Sequence, residues 1–312
     1  MYLYKILQKM YIFTKPNLNF KFMKNRNLNF LMLFVLTISM VTLSCRKDEK
    51  EDEVNNETTT AQDNAISQNM FDDVKKVVEE SANDEGQTGK VGNYFGTCVS
   101  VTISPNWIDS TQYWPKTMTI DFGTSNCTGN DGINRRGKLI VTLTDRYRNA
   151  GSVLTVQPQN YFVNDHQVEG TKTLTNNGRN ASNNLTFTVQ VTNGKITFPT
   201  GGYTTWNSTR TNEWIAGEST TWYNSGGLLA ALCDDVYLIT GTASGVNRNG
   251  LSYSVNITSP LRKEICCRWI VSGTMDIVPS GLLTRTVNFG TGNCDATATV
   301  TIAGNTFTVI MN

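Results

Sequence analysis

The stretch LTFTVQVT, Leu185–Thr192, alternates apolar and polar side chains at every step. A period of two is typical of a β-strand with one buried and one solvated face. LSYSVNIT, Leu251–Thr258, repeats this pattern with a conservative residue at every position. A similar short segment precedes each stretch, Val168–Thr171 in the first case and Ile239–Thr242 in the second. Two matches in the same local order indicate that the chain repeats a β-meander unit.

A second pair of repeats lies nearer the two ends of the same region. TIDFGTSNC, Thr119–Cys127, matches TVNFGTGNC, Thr286–Cys294, and Leu139–Leu143 is a further strand-like stretch. Because the strands alternate and are not continuously apolar, we expect antiparallel pairing. The sequence therefore predicts an all-β domain over residues 90–312. It would be an antiparallel sandwich or a strongly curved sheet, built from related β-meander repeats.

One short helix is predicted ahead of the β domain, within residues 63–85. Its apolar side chains recur at helical spacing and share one face: they are Ile66, Met70, Val74, Val77 and Val78. Asp63 is a suitable N-cap residue for this helix. We expect the apolar stripe of this amphipathic helix to pack on the β domain rather than to bind a partner.

The N-terminal region has the order of charges and apolar residues that is typical of a secretion signal. Met23 is followed by Lys24 and Arg26, and an apolar run over residues 28–44 ends at Cys45. Such a signal is cut after a small residue, here just before a thiol. The alternative is an uncleaved membrane anchor, but the run is short for a spanning helix of roughly 20 residues.

These features predict how the N-terminal segments are processed. We expect translation to start at Met23, with residues 1–22 a mis-assigned extension and residues 23–44 the signal peptide. Cys45 would then be the N-terminal residue and would carry lipid. Residues 45–62 are charged and rich in Asn and Thr, which predicts an acidic, disordered tether.

Residues 23–45 resemble bacterial lipoprotein signals, although Thr42 stands where those signals prefer Leu. The stretch Lys47-Asp48-Glu49 resembles the surface-export signal of Bacteroidota lipoproteins, and an ordinary solvated tether is the alternative. The chain thus resembles an uncharacterised surface lipoprotein family of the Bacteroidota. That resemblance implies an outer-membrane protein, anchored by lipid on Cys45 and exposed on the cell surface.

The chain has seven cysteines, and six remain once Cys45 is set aside. An even number in an exported protein predicts disulfides. Cys98 lies 29 residues before Cys127, and Cys266 and Cys267 lie 28 and 27 residues before Cys294. The repeats therefore predict Cys98–Cys127, Cys294 with Cys266 or Cys267, and the remaining cysteine of that vicinal pair with Cys233.

Charge and residue content exclude several classes of function. The net charge is +1 without a basic cluster, so no nucleic-acid partner is predicted. His166 is the only histidine and no C-x-x-C motif occurs, so neither a metal site nor another cofactor is predicted. Asn130-Asp131-Gly132 could begin a calcium loop, but a tight turn explains it better.

Catalytic motifs are not evident either. Asp165-His166 lacks a nucleophile elbow, and a turn is the simpler interpretation. Paired carboxylates could hydrolyse glycosides. The available carboxylates are Asp121, Asp145, Glu169, Glu213, Glu218, Asp234 and Asp235. None of them stands in a catalytic context, so we predict that the protein is not an enzyme.

An aromatic cluster provides the most specific binding hypothesis. Trp206, Arg210 and Trp214 share parity on one predicted strand, and Tyr203 lies just before them. If exposed, they form a stacking platform suited to sugar rings, and if buried, they belong to the core. The leading hypothesis is a non-enzymatic surface lipoprotein that binds carbohydrate through this cluster. The alternatives are a structural or assembly subunit of the cell envelope, with the helix docking another envelope protein, and a hydrolase.

Overall fold

The computed structural model describes residues 56–83, 95, 97–105, 114–220 and 233–311. These residues belong to one compact unit, Val54–Asn312. The predicted extension 1–22, the signal peptide 23–44, Cys45 and most of the tether lie outside the described residues.

One helix precedes fourteen strands in the described residues. The elements are α1 (Thr59–Asn83), β1 (Ser100–Ser104), β2 (Lys116–Asp121), β3 (Cys127–Thr128), β4 (Asn134–Leu143), β5 (Val153–Val163), β6 (His166–Arg179), β7 (Leu185–Thr197), β8 (Tyr203–Ala216), β9 (Val236–Val246), β10 (Ser252–Glu264), β11 (Ile270–Pro279), β12 (Arg285–Thr291), β13 (Thr297–Ile302) and β14 (Asn305–Ile310).

The strands form one antiparallel meander. Each strand pairs with its neighbours along the chain, β1 and β14 lie at the two edges, and the short β3 pairs with β4 beside the main path. The predicted all-β class is confirmed. Of the two predicted architectures, the structure has the curved one, because a single open sheet curls over its own buried face.

Interruptions of the strand register explain the curl. Register shifts occur at neighbouring positions in most pairs from β4–β5 to β11–β12. Gly137 and Gly170 lie at two of these shifts, with φ of 87° and 121°. A Cβ atom on Gly137 would lie 1.9 Å from the carbonyl oxygen of Asn160, so only glycine fits there. Such bulges bend strands, and their alignment gives the sheet a crease.

The helix lies on the inner face of this curled sheet. It begins at Thr59, four residues before the predicted start, and Glu57 caps it by accepting hydrogen bonds from the Thr60 amide at 2.7 Å and hydroxyl at 2.9 Å. The predicted N-cap, Asp63, is therefore wrong. Asp63 lies inside the helix, and its carboxylate accepts hydrogen bonds from Arg248.

Burial of the helix extends well beyond its apolar stripe. Met70 and Val74 are buried as the pattern predicts, but the polar side chains of Asn64, Asp73 and Lys75 are buried too. The helix contacts β6, β7, β8 and β11. The curled sheet thus surrounds the helix on several sides, and polar side chains of both partners must pair inside the protein.

Three disulfides connect the six cysteines of the β domain, and all three agree with the predicted scheme. They join Cys98 to Cys127, Cys233 to Cys266, and Cys267 to Cys294. In the chain-entropy model, bridges that close loops of this length each contribute about 3–4 kcal/mol.

The two halves of the predicted Phe-Gly-Thr repeat also adopt the same local structure. The Gly123 amide donates to the Asp121 side chain, and the Gly290 amide donates to the Asn288 side chain, both at 2.9 Å. The first repeat begins within β2 and the second begins within β12, so similar turns occur towards both ends of the sheet.

Candidate functional site

The predicted binding platform is wrong, because its three residues face inwards. Every second residue of β8 from Thr204 to Trp214 is buried against the helix side of the sheet. Trp206, Arg210 and Trp214 are only 3%, 4% and 2% exposed. Parity placed them correctly on one face, but that face is the inner one. The core interpretation therefore applies.

Both tryptophans make the contacts of core residues. The Trp206 indole N–H donates to Asn64 of the helix at 3.0 Å, and its ring stacks on Phe71. The Trp214 indole N–H donates to Asp235 at 3.1 Å, and its ring stacks on Tyr237. Buried indoles need such acceptors. Neither ring is free to stack on a ligand.

Arg210 is the least satisfied of the three residues. Its Nη1 donates to the carbonyl of Gly241 at 3.1 Å, but Nε and Nη2 have no hydrogen-bond partner among the described residues. Burial lowers the pKa of Arg210 to about 10, and the nearby Asp72 only partly opposes this effect. The side chain is therefore a charged, incompletely paired group inside the protein.

The other candidate motifs form turns, as the simpler interpretations predicted. Asn164 and Asp165 both have positive φ at the tip of the β5–β6 hairpin, and Nδ1 of His166 lies 3.1 Å from the Asn164 carbonyl. Asp131 accepts hydrogen bonds from Arg135 and from the Ile133 amide, which leaves its carboxylate engaged in an ion pair and a turn. The aromatic-rich stretch continues after Trp214 with Trp222 and Tyr223, which lie outside the described residues.

A cleft on the outer face is the best candidate site. Strands β5 and β6 pair at Val156–Lys172 and again at Tyr161–Val168, but their ladder is interrupted between these two pairs. The interruption opens a cleft of about 510 Å³. Its lining is mostly polar: Pro158, Gln159, Asn160, Gln167, Val168, Glu169 and Gly170. Ligand sites commonly have volumes of this order.

Side chains beside the cleft are arranged in two rows across the strands. The first row follows directly opposed residues of β4 to β8: Arg136, Phe162, Gln167, Thr197 and Tyr203. The second row crosses the same strands two or three residues further along and is interrupted at the cleft: Lys138 pairs with Gln159 on one side, and Glu169, Lys195 and Thr205 follow on the other. Directly opposed residues of an antiparallel sheet point to the same face.

Tyr203 is the only large aromatic side chain that is widely exposed among the described residues, at 54%. The Lys195 ammonium lies 5.2 Å from the centre of its ring. At the other end of the first row, the Arg136 guanidinium stacks on Phe162 at 3.8 Å. Phe162 therefore lies beside the cleft, and Tyr203 lies two strands beyond it at the far end of the first row. Aromatic rings of this kind contact flat or cyclic ligands.

The charges around the cleft are internally paired. Lys195 lies 3.0 Å from Glu169, Lys138 lies 2.8 Å from Asp121, and Arg136 pairs with Asp165.

Hydrogen bonds reinforce two of these pairs. Those from Lys138 and the Gly123 amide lower the pKa of Asp121, and those from Arg136 and Asn126 lower the pKa of Asp165. Both carboxylates are therefore ionised at neutral pH, and the face carries almost no net charge.

The geometry does not favour glycoside hydrolysis at this cleft. Glu169 on β6 and Asp121 on β2 are separated by β4 and β5. Three strand spacings amount to about 14 Å. Paired catalytic carboxylates lie about 5–9.5 Å apart. Glu169 can accept hydrogen bonds from a ligand, but Asp121 is too far away to act with it.

A second cavity lies between α1 and the C-terminal strands, but it is very small. Its volume is about 10 Å³, and Gln68, Asn69, Trp269 and Met311 contribute to its lining. That space suits about one water molecule. The side-chain oxygen Oε1 of Gln68 and the side-chain nitrogen Nδ2 of Asn69 would find a partner in such a water. Neither atom has a hydrogen-bond partner among the described residues. A larger ligand does not fit.

Sequence reasoning missed the outer cleft, although one signal was present. Pro158 interrupts the strand-like stretch Val153–Val163. Proline cannot donate to a ladder and is found at edges and bulges, so it marks a place where strands separate. The exposure of Tyr203, in contrast, depends on the direction of the curl and has no local signature.

The described residues contain no cluster of three or more His, Cys, Asp or Glu side chains that could hold a metal ion. Within the same residues, no helix combines the length and apolar character needed to span a bilayer.

Comparisons with protein-family models, with curated proteins and with solved structures give no match for this chain.

Proposed function

We propose that this protein is a surface lipoprotein that binds carbohydrate, without catalysing a reaction, at the outer cleft between β5 and β6. The observation that carries the proposal is the interrupted ladder, which opens a polar cleft, with the exposed Tyr203 two strands beyond it on the same face. Amide and carboxylate side chains supply hydrogen bonds for hydroxyl groups, and the aromatic ring supplies an apolar surface for a sugar ring. The site thus replaces the predicted Trp206–Trp214 platform.

The chemistry of the lining supports this ligand class over others. Gln159, Asn160 and Gln167 each offer both donors and acceptors, which matches the mixed donor and acceptor character of sugar hydroxyls. The ion pairs leave no excess positive charge for phosphates or nucleic acid. An apolar small molecule would find few partners, since the lining is predominantly polar.

Binding can be tested by affinity electrophoresis of the full chain in detergent against gels containing neutral and acidic polysaccharides. We expect retardation by at least one neutral polysaccharide. Glu169→Gln should weaken binding about ten- to a hundredfold, because hydrogen bonds to a charged acceptor contribute about 1.5–3 kcal/mol.

Glu264→Gln is a matched control. Glu264 also forms an exposed ion pair at 3.0 Å, with Arg262, but it lies on β10 away from the cleft. Its substitution should leave binding unchanged. If no polysaccharide retards the wild-type chain, or if both variants lose binding equally, the proposed site is wrong.

The anchor is a separate part of the proposal and rests on the sequence of residues 23–45. Labelling cells with an alkyne-tagged fatty acid should place the label on the protein. Cys45→Ala should abolish the label, whereas the neighbouring Ser44→Ala should retain it. Label retained in Cys45→Ala would contradict the lipid anchor at this residue.

A further inference from the structure

We infer that the cleft is the first of several subsites for an uncharged, linear oligosaccharide that lies across β5–β8 and ends against Tyr203. This inference rests on the proposed carbohydrate function. It adds the charge, the shape and the orientation of the ligand, which a cleft alone does not define.

The length of the surface follows from the strand register. Phe162, Gln167, Thr197 and Tyr203 are directly opposed in successive strands from β5 to β8. The row therefore spans three strand spacings, about 14 Å. A sugar unit of a linear chain is roughly as long as one spacing, so about three or four units cover the row.

Polar side chains continue along the whole path between the cleft and the tyrosine. Gln167 and Thr197 lie on the direct path, and Glu169, Lys195 and Thr205 flank it in the parallel row. All five are at least partly exposed. A chain lying across the strands can thus make hydrogen bonds at each strand, and its last ring can contact the exposed ring of Tyr203.

The two rows and their ion-pair partners together carry no net charge, and this favours an uncharged ligand. Each charged side chain in the two rows has a partner of opposite sign: Glu169 with Lys195, Arg136 with Asp165, and Lys138 with Asp121. A uronate or sulfated chain would have to compete with these pairs for the cations. A neutral chain needs only the hydrogen-bonding capacity that remains, so it should bind more tightly.

Calorimetric titration of the full chain with oligosaccharide ladders tests the inference. The probes are neutral gluco-, xylo- and manno-oligosaccharides from the disaccharide upward, and a galacturonide ladder as the charged comparison. For at least one neutral ladder, affinity should rise with each added sugar and become constant once the chain spans the row.

Tyr203→Ala should lower the affinity for the long neutral chains about tenfold and leave the affinity for the disaccharide unchanged, since the short ligand occupies only the cleft. Ile310→Ala removes another widely exposed side chain, 58% exposed at the β14 edge, and should behave as wild type. A thermal unfolding curve verifies that both variants fold.

The outcomes separate this inference from the proposed function. If neither the ladders nor the polysaccharides bind, the carbohydrate function fails, and the inference fails with it. If binding occurs but does not depend on chain length or on Tyr203, or if galacturonides bind more tightly, only the extended, uncharged ligand is overturned.

Discussion

Arg135 and Arg210 are the same residue type at nearly the same burial, 0% and 4% exposed, yet their surroundings differ completely. Arg135, on β4, donates to Asp73 of the helix and to Asp131, with Nε at 2.9 Å from the Asp73 carboxylate. Arg210, on β8, donates to one backbone carbonyl. Arg135 therefore ties the sheet to the helix through hydrogen bonds, whereas the hydrogen bond of Arg210 stays within the sheet.

The difference also appears in the pKa values of the two guanidinium groups. Burial by itself would lower the pKa of Arg135, but the charges and hydrogen bonds of Asp73 and Asp131 outweigh burial and raise it. For Arg210, burial prevails, and the pKa falls to about 10. Burial of a cation thus stabilises this fold only where carboxylates accompany it.

The largest effect is expected for Arg135→Met. The substitution leaves the buried Asp73 without Arg135 and leaves Asp131 with Lys76 at 3.4 Å, which should cost about 3–5 kcal/mol in the free energy of unfolding measured with urea. Arg136→Met is the control, because its ion pair with Asp165 is exposed to solvent and should contribute far less to stability. Equal losses in both variants would show that the buried network stabilises the protein no more than an exposed ion pair does.

Acid pH should weaken the same network, because it protonates Asp131. Burial tends to raise the pKa of Asp131, but hydrogen bonds from Arg135 and the nearby charges hold it below the ordinary value. A carboxylate with a lowered folded pKa stabilises the protein above the unfolded pKa of about 3.9, and this stability is lost as the pH falls through the folded value.

We therefore expect Asp131→Asn to be about 1.5–3 kcal/mol less stable than wild type near neutral pH. The two urea-unfolding free energies should begin to converge as the pH falls below about 4, where Asp131 of the unfolded chain becomes protonated. They should converge fully only below the lowered pKa of Asp131 in the folded protein. A difference that stays constant down to the lowest accessible pH would mean that the loss reflects packing rather than charge.

Lys263, like Arg210, is a buried cation that donates to backbone carbonyls, so it extends the comparison with Arg135. Its ammonium donates to the carbonyls of Cys267 and Arg268, both at 2.7 Å, and burial lowers its pKa to about 8. The unfolded chain binds a proton more tightly, with a lysine pKa of about 10.4, so stability should rise as the pH increases between these values.

The rise should amount to about 1 kcal/mol between neutral pH and pH 9 in urea unfolding, and Lys263→Met should lack it. Lys195→Met, which removes a half-exposed lysine, should retain the rise. An unchanged rise in Lys263→Met would assign the alkaline effect to another group.

The smallest effect is expected for Arg210→Met. Replacing an incompletely paired cation with an apolar side chain of similar length removes a desolvation cost along with one hydrogen bond, so the unfolding free energy should change by less than about 1 kcal/mol. A loss of unfolding free energy as large as that of Arg135→Met would contradict the difference between the two arginines. It would imply that ordered water supplies the missing hydrogen-bond partners of Arg210.

Local sequence patterns predicted the strands and the disulfides because both depend on short-range information. Alternation in Leu185–Thr192 identifies a strand, and the repeated spacing before Cys127 and Cys294 identifies equivalent bridges. The orientation of Trp206 could not be predicted in this way. Parity shows which residues share a face, but the inner face is defined by the curl and by the helix inside it.

The outer cleft escaped prediction for a related reason. Its residues are brought together by a register interruption between β5 and β6, and its distant tyrosine by two further strand pairings. Register is a property of the whole sheet. Pro158 alone indicated that the ladder breaks there.

The enclosed helix also determines how the protein should respond to mechanical load. Tension on the chain ahead of Thr59 enters α1 first, and the side-chain contacts of that helix, such as Asn64 with Trp206 and Asp73 with Arg135, transmit it to several strands at once. These contacts must shear together. Tension applied at the C-terminal end would instead peel β14 from β13 one pair at a time. The molecule should therefore be mechanically stiff towards its N-terminal side and compliant towards the other.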